Sequence, residues 1–117
     1  MTINRKEQRK RRHFRIRKVI KGTSEVPRLS VFRSLRHIFV QLIDDTQNKT
    51  ILSASDHELD KKIQNCKVSD ATKVGELIAK KALDRGIKAV CFDRSGYAYH
   101  GQVRAVAEGA RKGGLKF

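Results

Sequence analysis

From Asn4 to His13 the chain carries no apolar residue. Such a stretch has no face to bury, so it stays out of any hydrophobic core whatever local structure it takes. The fold must be built by the residues that follow. The same region is strongly charged. Residues 1–21 hold ten Lys or Arg and one acid, Glu7, which is +9 of the formal +15 of the 117-residue chain. Charge this dense repels itself until a polyanion neutralises it, and nucleic acid is the commonest cellular polyanion.

Residues 4–20 lack Gly and Pro and favour helix by propensity. Only their last turns offer an apolar face: Ile16, Val19 and Ile20 at helical spacing, with Phe14 nearby. Gly22 stands where a helix stop is expected. A helix that is polar all round is marginal in water. The sequence thus divides into a basic helical arm, 1–21, and a globular domain, 22–117. The start of the arm, about residues 1–13, is expected to be disordered alone and to order on its partner. A membrane-binding arm would carry an apolar stripe to insert, and a transit peptide would be rich in serine; neither pattern is present. The apolar runs are a few residues long, too short for a transmembrane helix or a signal-peptide core. Cys66 and Cys91 lie far apart, and no Cys/His pair has metal-ligand spacing, so both read as reduced thiols. Cys91 lies in an apolar run and is expected in the core.

After a connector around Pro27 come three strand-like runs. Arg28 to Arg33 and His37 to Asp44 alternate in hydropathy, and Lys49 to Ser55 follows a turn at 44–48. Short links between them predict an antiparallel meander. A helix is expected from an N-cap at Ser69 or Asp70 to Arg85, stopped by Gly86. Its buried stripe would be Ala71, Val74, Ile78 and Ala82, and close approach to the sheet would explain Gly75 within it. Ile87 to Phe92 reads as a parallel strand covered on both faces. A loop from Asp93 to Gly101 leads to a final helix, about Gln102 to Lys112. The fold class is α/β, a four-stranded mixed sheet with one crossover and the helical arm.

The meander would bury Leu29, Val31, Ile38, Val40 and Leu42 and turn Ser30, Phe32, Phe39 and Gln41 to the other face. Arg28, Arg33, Arg36 and His37 surround those two phenylalanines at the strand ends. Cations around aromatic rings suit RNA, where rings stack on bases and Arg holds phosphate. The alternative, Phe32 and Phe39 packed under a helix or the arm, stays open. In the arm, Arg5, Arg9, Lys10, Arg11, Arg12, His13 and Arg15 are the candidate phosphate contacts. Arg94, Tyr97, Tyr99 and His100 are candidates in the C-terminal loop. One of the two tyrosines is expected to anchor that loop, with the choice open.

The strand and helix order also fits a ribonuclease-H-like layout. Nucleases of that type need converging carboxylates on the first and fourth strands to hold metal. Asp93 ends the fourth strand, but the first has no acid, so Asp93 reads as structural, capping its loop or pairing with Arg94. No histidine has a recognised catalytic spacing, and no metal or cofactor is called for.

Several stretches are similar to one family. Arg28-Leu29-Ser30-Val31-Phe32-Arg33-Ser34, Arg36-His37-Ile38 and Gln41-Leu42-Ile43 resemble the strand pair of the bacterial-type large-subunit ribosomal protein number eighteen. Phe92-Asp93-Arg94-Ser95-Gly96, Tyr99-His100-Gly101 and Gly114-Leu115-Lys116-Phe117 resemble its C-terminal signature. Gln102 stands where many members carry a basic residue. The resemblance covers nearly the whole chain. It implies the strand order three-two-one-four and no enzymatic activity. It also implies binding of 5S rRNA and its attachment to the 23S rRNA in the central protuberance of the large subunit. Other 5S-binding ribosomal proteins would be neighbours, with this chain a monomer within the ribosome. The family's ribosomes lie in the cytoplasm, and an organelle ribosome would suit the same residues.

Overall fold

The computed structural model describes residues 4–117, apart from the side chains of residues 17–19. The expected packing of Val19 therefore lies outside the described residues. The arm forms helix α1 (Arg5–Val19), and the Asn4 side chain caps it by accepting from the Glu7 N–H at 2.8 Å. Ile16 and Ile20 are half-buried, as their spacing predicts. The helix ends at Ile20, before Gly22. Gly22 is needed for a different reason. A Cβ there would lie 2.2 Å from the Arg28 nitrogen and 2.4 Å from the Ile43 oxygen. It allows the chain to pass close against the sheet.

Strands β1 (Arg28–Arg33), β2 (Ile38–Asp44) and β3 (Lys49–Ser55) form the antiparallel meander, and β4 (Cys91–Asp93) pairs parallel to β1. The sheet order is β3-β2-β1-β4, a mixed α/β sheet in the order anticipated. Alternation sends Leu29, Val31, Ile38, Val40 and Leu42 to one face, where all are buried.

Helices α3 (Val68–Asp84) and α4 (Gln102–Lys112) belong to that same core. The α3 stripe of Ala71, Val74, Ile78 and Ala82 is fully buried. Truncating a residue such as Ile78 would cost about 2–5 kcal/mol. Asp70 is not the N-cap: it sits one turn in, where its carboxylate accepts from the Lys67 N–H at 2.9 Å. Gly75 faces α4 rather than the sheet. A Cβ on Gly75 would lie 2.2 Å from the Val106 oxygen, and one on Gly109 would lie 2.1 Å from the Thr72 oxygen. The two glycines let the helix backbones touch. A short helix, α2 (Asp56–Leu59), lies between β3 and α3.

The fourth strand is shorter and later than the run Ile87 to Phe92 suggests. Residues 88–90 pair instead with the C-terminal tail, through Lys116 N–H to Lys88 O and Val90 N–H to Lys116 O, both 3.0 Å. Phe92 is half-buried under the stacked ring of Phe117, 5.6 Å away. Cys91 shares a register position with Arg28 on the face away from α3 and α4 and is only half-buried, whereas Cys66 is the buried cysteine. Burial, reinforced by the negative charges of Asp56 and Asp70, pushes the Cys66 thiol up to about 11.

Candidate nucleic-acid interface

The parallel pairing of β4 with β1 brings Asp93 beside Ser30, on the face away from the hydrophobic core. There it meets Arg28, whose Nη1 donates to Asp93 Oδ2 at 2.7 Å while Nε and Nη2 donate to Asp45 at 3.0 and 3.2 Å. Arg28 is 3% exposed and Asp93 0%. Burial alone would lower the Arg28 pKa, but its hydrogen bonds to the two carboxylates outweigh that and raise it. This corrects the reading of Arg28, which is not available to phosphate because its donors are held inside by two acids. Asp93 caps its loop, as one of the two alternatives expected, with Oδ1 accepting from the Ser95 N–H at 2.8 Å, while its charged partner is Arg28 rather than Arg94. A cation thus sits where a nuclease would need a second acid, so Asp93 is structural, as expected.

The same buried carboxylate anchors the arm. His13 Nε2 lies 3.2 Å from Asp93 Oδ2. Arg12 Nε donates to Gly96 O at 2.9 Å, and Arg9 reaches Ser95 O at 3.5 Å. Gly96 has φ +80° and would place a Cβ 2.3 Å from the Arg9 carbonyl oxygen. Glycine at this position serves both a left-handed turn and the close approach of α1. His13 and Arg12 are thus partly spent on docking the helix. Arg5, Lys10, Arg11 and Arg15 are exposed on it.

Tyr97 is the tyrosine that anchors the loop. Its hydroxyl donates to Arg33 O at 3.0 Å and accepts from Arg33 N–H at 3.3 Å. The guanidinium carbons of Arg9 and Arg33 lie 4.6 and 5.5 Å from its ring centroid. A groove lined by Arg5, Lys6, Arg9, Arg12, Arg33, Tyr97 and Ala98 results. It gathers cations from the arm and the end of β1, which are far apart in sequence. Arg94 turns inward, donating to Tyr97 O at 2.9 Å, yet also lines a second groove with Arg12 and Arg15. Tyr99 is 45% exposed and His100 is exposed beside it.

Next to Arg33, Phe32 and Phe39 face each other across β1 and β2, 55% and 37% exposed. The core helices pack on the opposite face of the sheet, and both rings stay open to solvent. Arg36 is exposed on the adjoining loop, while His37 Nδ1 is hydrogen-bonded to Asp56 Oδ2 at 2.8 Å. Gln102 donates to Cys66 O at 2.6 Å and so pins the segment before α3. An amide serves there where a basic residue was anticipated. The surface therefore joins a cationic helix, a cationic groove around Tyr97 and a pair of open aromatic rings. Missing from the sequence reading were Lys6 in that groove and the buried Arg28–Asp93 pair; only the β1–β4 pairing reveals the latter. Among the described residues no helix is long and apolar enough to cross a membrane.

Comparison with known proteins gives a consistent result. The family described as ribosomal L18 of archaea, bacteria, mitochondria and chloroplast matches residues 3–117. The large ribosomal subunit protein uL18 of Thermotoga petrophila is 56% identical over 117 residues, covering 97% of this chain and 96% of its own. That of Clostridium kluyveri is 54% identical over 114 residues, with the same coverage. That of Onion yellows phytoplasma is 55% identical over 109 residues, covering 93% of this chain and 92% of its own.

Proposed function

Because the chain belongs to the bacterial-type uL18 family, and is thus a structural protein of the large ribosomal subunit and not an enzyme, we propose that it binds 5S rRNA and helps attach it to the 23S rRNA in the central protuberance. The observation that carries this reading is the groove around Tyr97, where cations of α1 and β1 converge beside the open Phe32–Phe39 pair. Guanidiniums supply phosphate contacts that fix position on the RNA, and exposed rings supply stacking on unpaired bases or riboses. Arg5, Arg9, Lys10, Arg11, Arg15, Arg33 and Arg36 are the phosphate contacts; Phe32, Phe39, Tyr99 and His100 meet nucleosides. The protein acts as a monomer on the ribosome, beside other 5S-binding proteins.

The arm works by charge neutralisation. Each phosphate it covers releases counterions, so affinity falls with salt. In the free protein, residues 5–13 exchange between docked and undocked forms, and RNA fixes them in place. The test is hydroxyl-radical footprinting of 5S rRNA with the full chain, in competition with an unrelated structured RNA of equal length. Protection of a discrete segment, relieved by unlabelled 5S rRNA alone, supports the proposal. Equal relief by both competitors contradicts it.

A further inference from the structure

The pairing of β2 with β3 has its last rung at Phe39 and Ser55. Continued past that rung, the register sets His37 opposite His57, with Asp56 between them at the start of α2. His37 Nδ1 lies 2.8 Å from Asp56 Oδ2, and the two imidazole centroids are 4.1 Å apart. One ligand-type atom from each of the three residues falls within 4.8 Å of the others. Asp56 is 0% exposed, yet its second oxygen, Oδ1, receives no hydrogen bond among the described residues. A buried carboxylate oxygen without a donor is costly, and native proteins fill such positions with a donor or a cation.

From this cluster we propose that His37, Asp56 and His57 form a binding site for one divalent metal ion of the zinc class. Two imidazole nitrogens and one carboxylate suit such an ion, with water completing a tetrahedron. Tetrahedral ligand bonds of about 2.0–2.2 Å place neighbouring ligand atoms about 3.3–3.6 Å apart. The three ligand atoms lie within 4.8 Å of one another, and the exposed His57 ring is the one with room to turn. The side chain of His37 is 33% exposed, so the site opens to solvent on one side. Phe32 and Phe39 line the same hollow. An ion there would clamp the start of α2 to the loop before β2 at the rim of the aromatic face.

The test titrates the purified full chain, free of RNA, with Zn²⁺ against a chromophoric chelator, and with Co²⁺ by visible absorption. One ion per chain is expected, with tetrahedral Co²⁺ bands and a raised melting temperature. His57→Ala removes an exposed ring without touching the core and should weaken binding at least tenfold, and Asp56→Asn should do the same. If Asp56→Asn fails to fold, His57→Ala carries the test. His100→Ala is the control and should bind as wild type. Absence of saturable uptake, equal affinity in wild type and His57→Ala, or loss of the ion in His100→Ala would each overturn the proposal.

Discussion

Replacing Asp93 by alanine removes the buried carboxylate on which both the body and the arm depend. Asp93 and Arg28 are 0% and 3% exposed and joined at 2.7 Å. Removing one partner of such a pair leaves an uncompensated buried charge, which costs about 3–5 kcal/mol. Arg28 keeps two hydrogen bonds to Asp45, at 3.0 and 3.2 Å, which pulls the figure toward the lower end. Against that, the Ser95 N–H loses its acceptor, a further cost of about 1–3 kcal/mol that overlaps with the first. The expected loss is therefore about 3–5 kcal/mol, read as a lower urea midpoint at an unchanged slope. Arg28→Met should also destabilise. The double variant should lose clearly less than the two single losses together, because the pair is replaced as a unit. A loss under about 1 kcal/mol for Asp93→Ala, or full additivity in the double variant, would refute the reasoning.

Other outcomes are expected from the same structure. Phe39→Ala should weaken binding of 5S rRNA by about 1–3 kcal/mol, the worth of one stacked base, while the thermal melt moves little; a large melt shift with unchanged affinity would mean the ring is core. Gly96→Ala should push α1 off the 93–97 loop, because its Cβ would meet the Arg9 carbonyl at 2.3 Å; faster hydrogen exchange in residues 5–13 reads this out, and unchanged exchange argues against the docking. Stability should fall as pH rises between about 9 and 11, because the unfolded Cys66 thiol ionises near 9.0 while the folded one holds its proton to about 11. Cys66→Ala should flatten that fall by about 2 kcal/mol or less across the window; equal slopes in both proteins would remove the claim.

The sheet was legible because its signals are local. Strict alternation in 28–33 and 38–44, with links of a few residues, fixes both the meander and the buried face. The stripe on α3 and its glycine stop were legible for the same reason. What escaped needs contacts between distant segments. Arg28 reads as a surface cation until the meander brings Asp45 to it and the crossover brings Asp93. Gly75 has a clear cost in a helix, but its partner on α4 is set by packing, not by any nearby residue. The arm reads as uniformly basic, yet Arg12 and His13 are drawn toward Gly96 and Asp93, 84 and 80 positions away. His37 and Asp56-His57 come together only through the β2–β3 register. Tyr97 and Tyr99 are chemically alike in sequence, and the backbone of Arg33 decides between them.

Charge on α1 and the adjoining groove is proposed to drive binding to 5S rRNA. Affinity of the full chain for 5S rRNA, measured across a salt series, tests it most directly. If about eight phosphates are neutralised, log affinity against log salt should have a slope of roughly −6 to −7, and Arg11→Ala should reduce its magnitude by about 1 or less. A slope near zero for the wild-type protein would contradict the account.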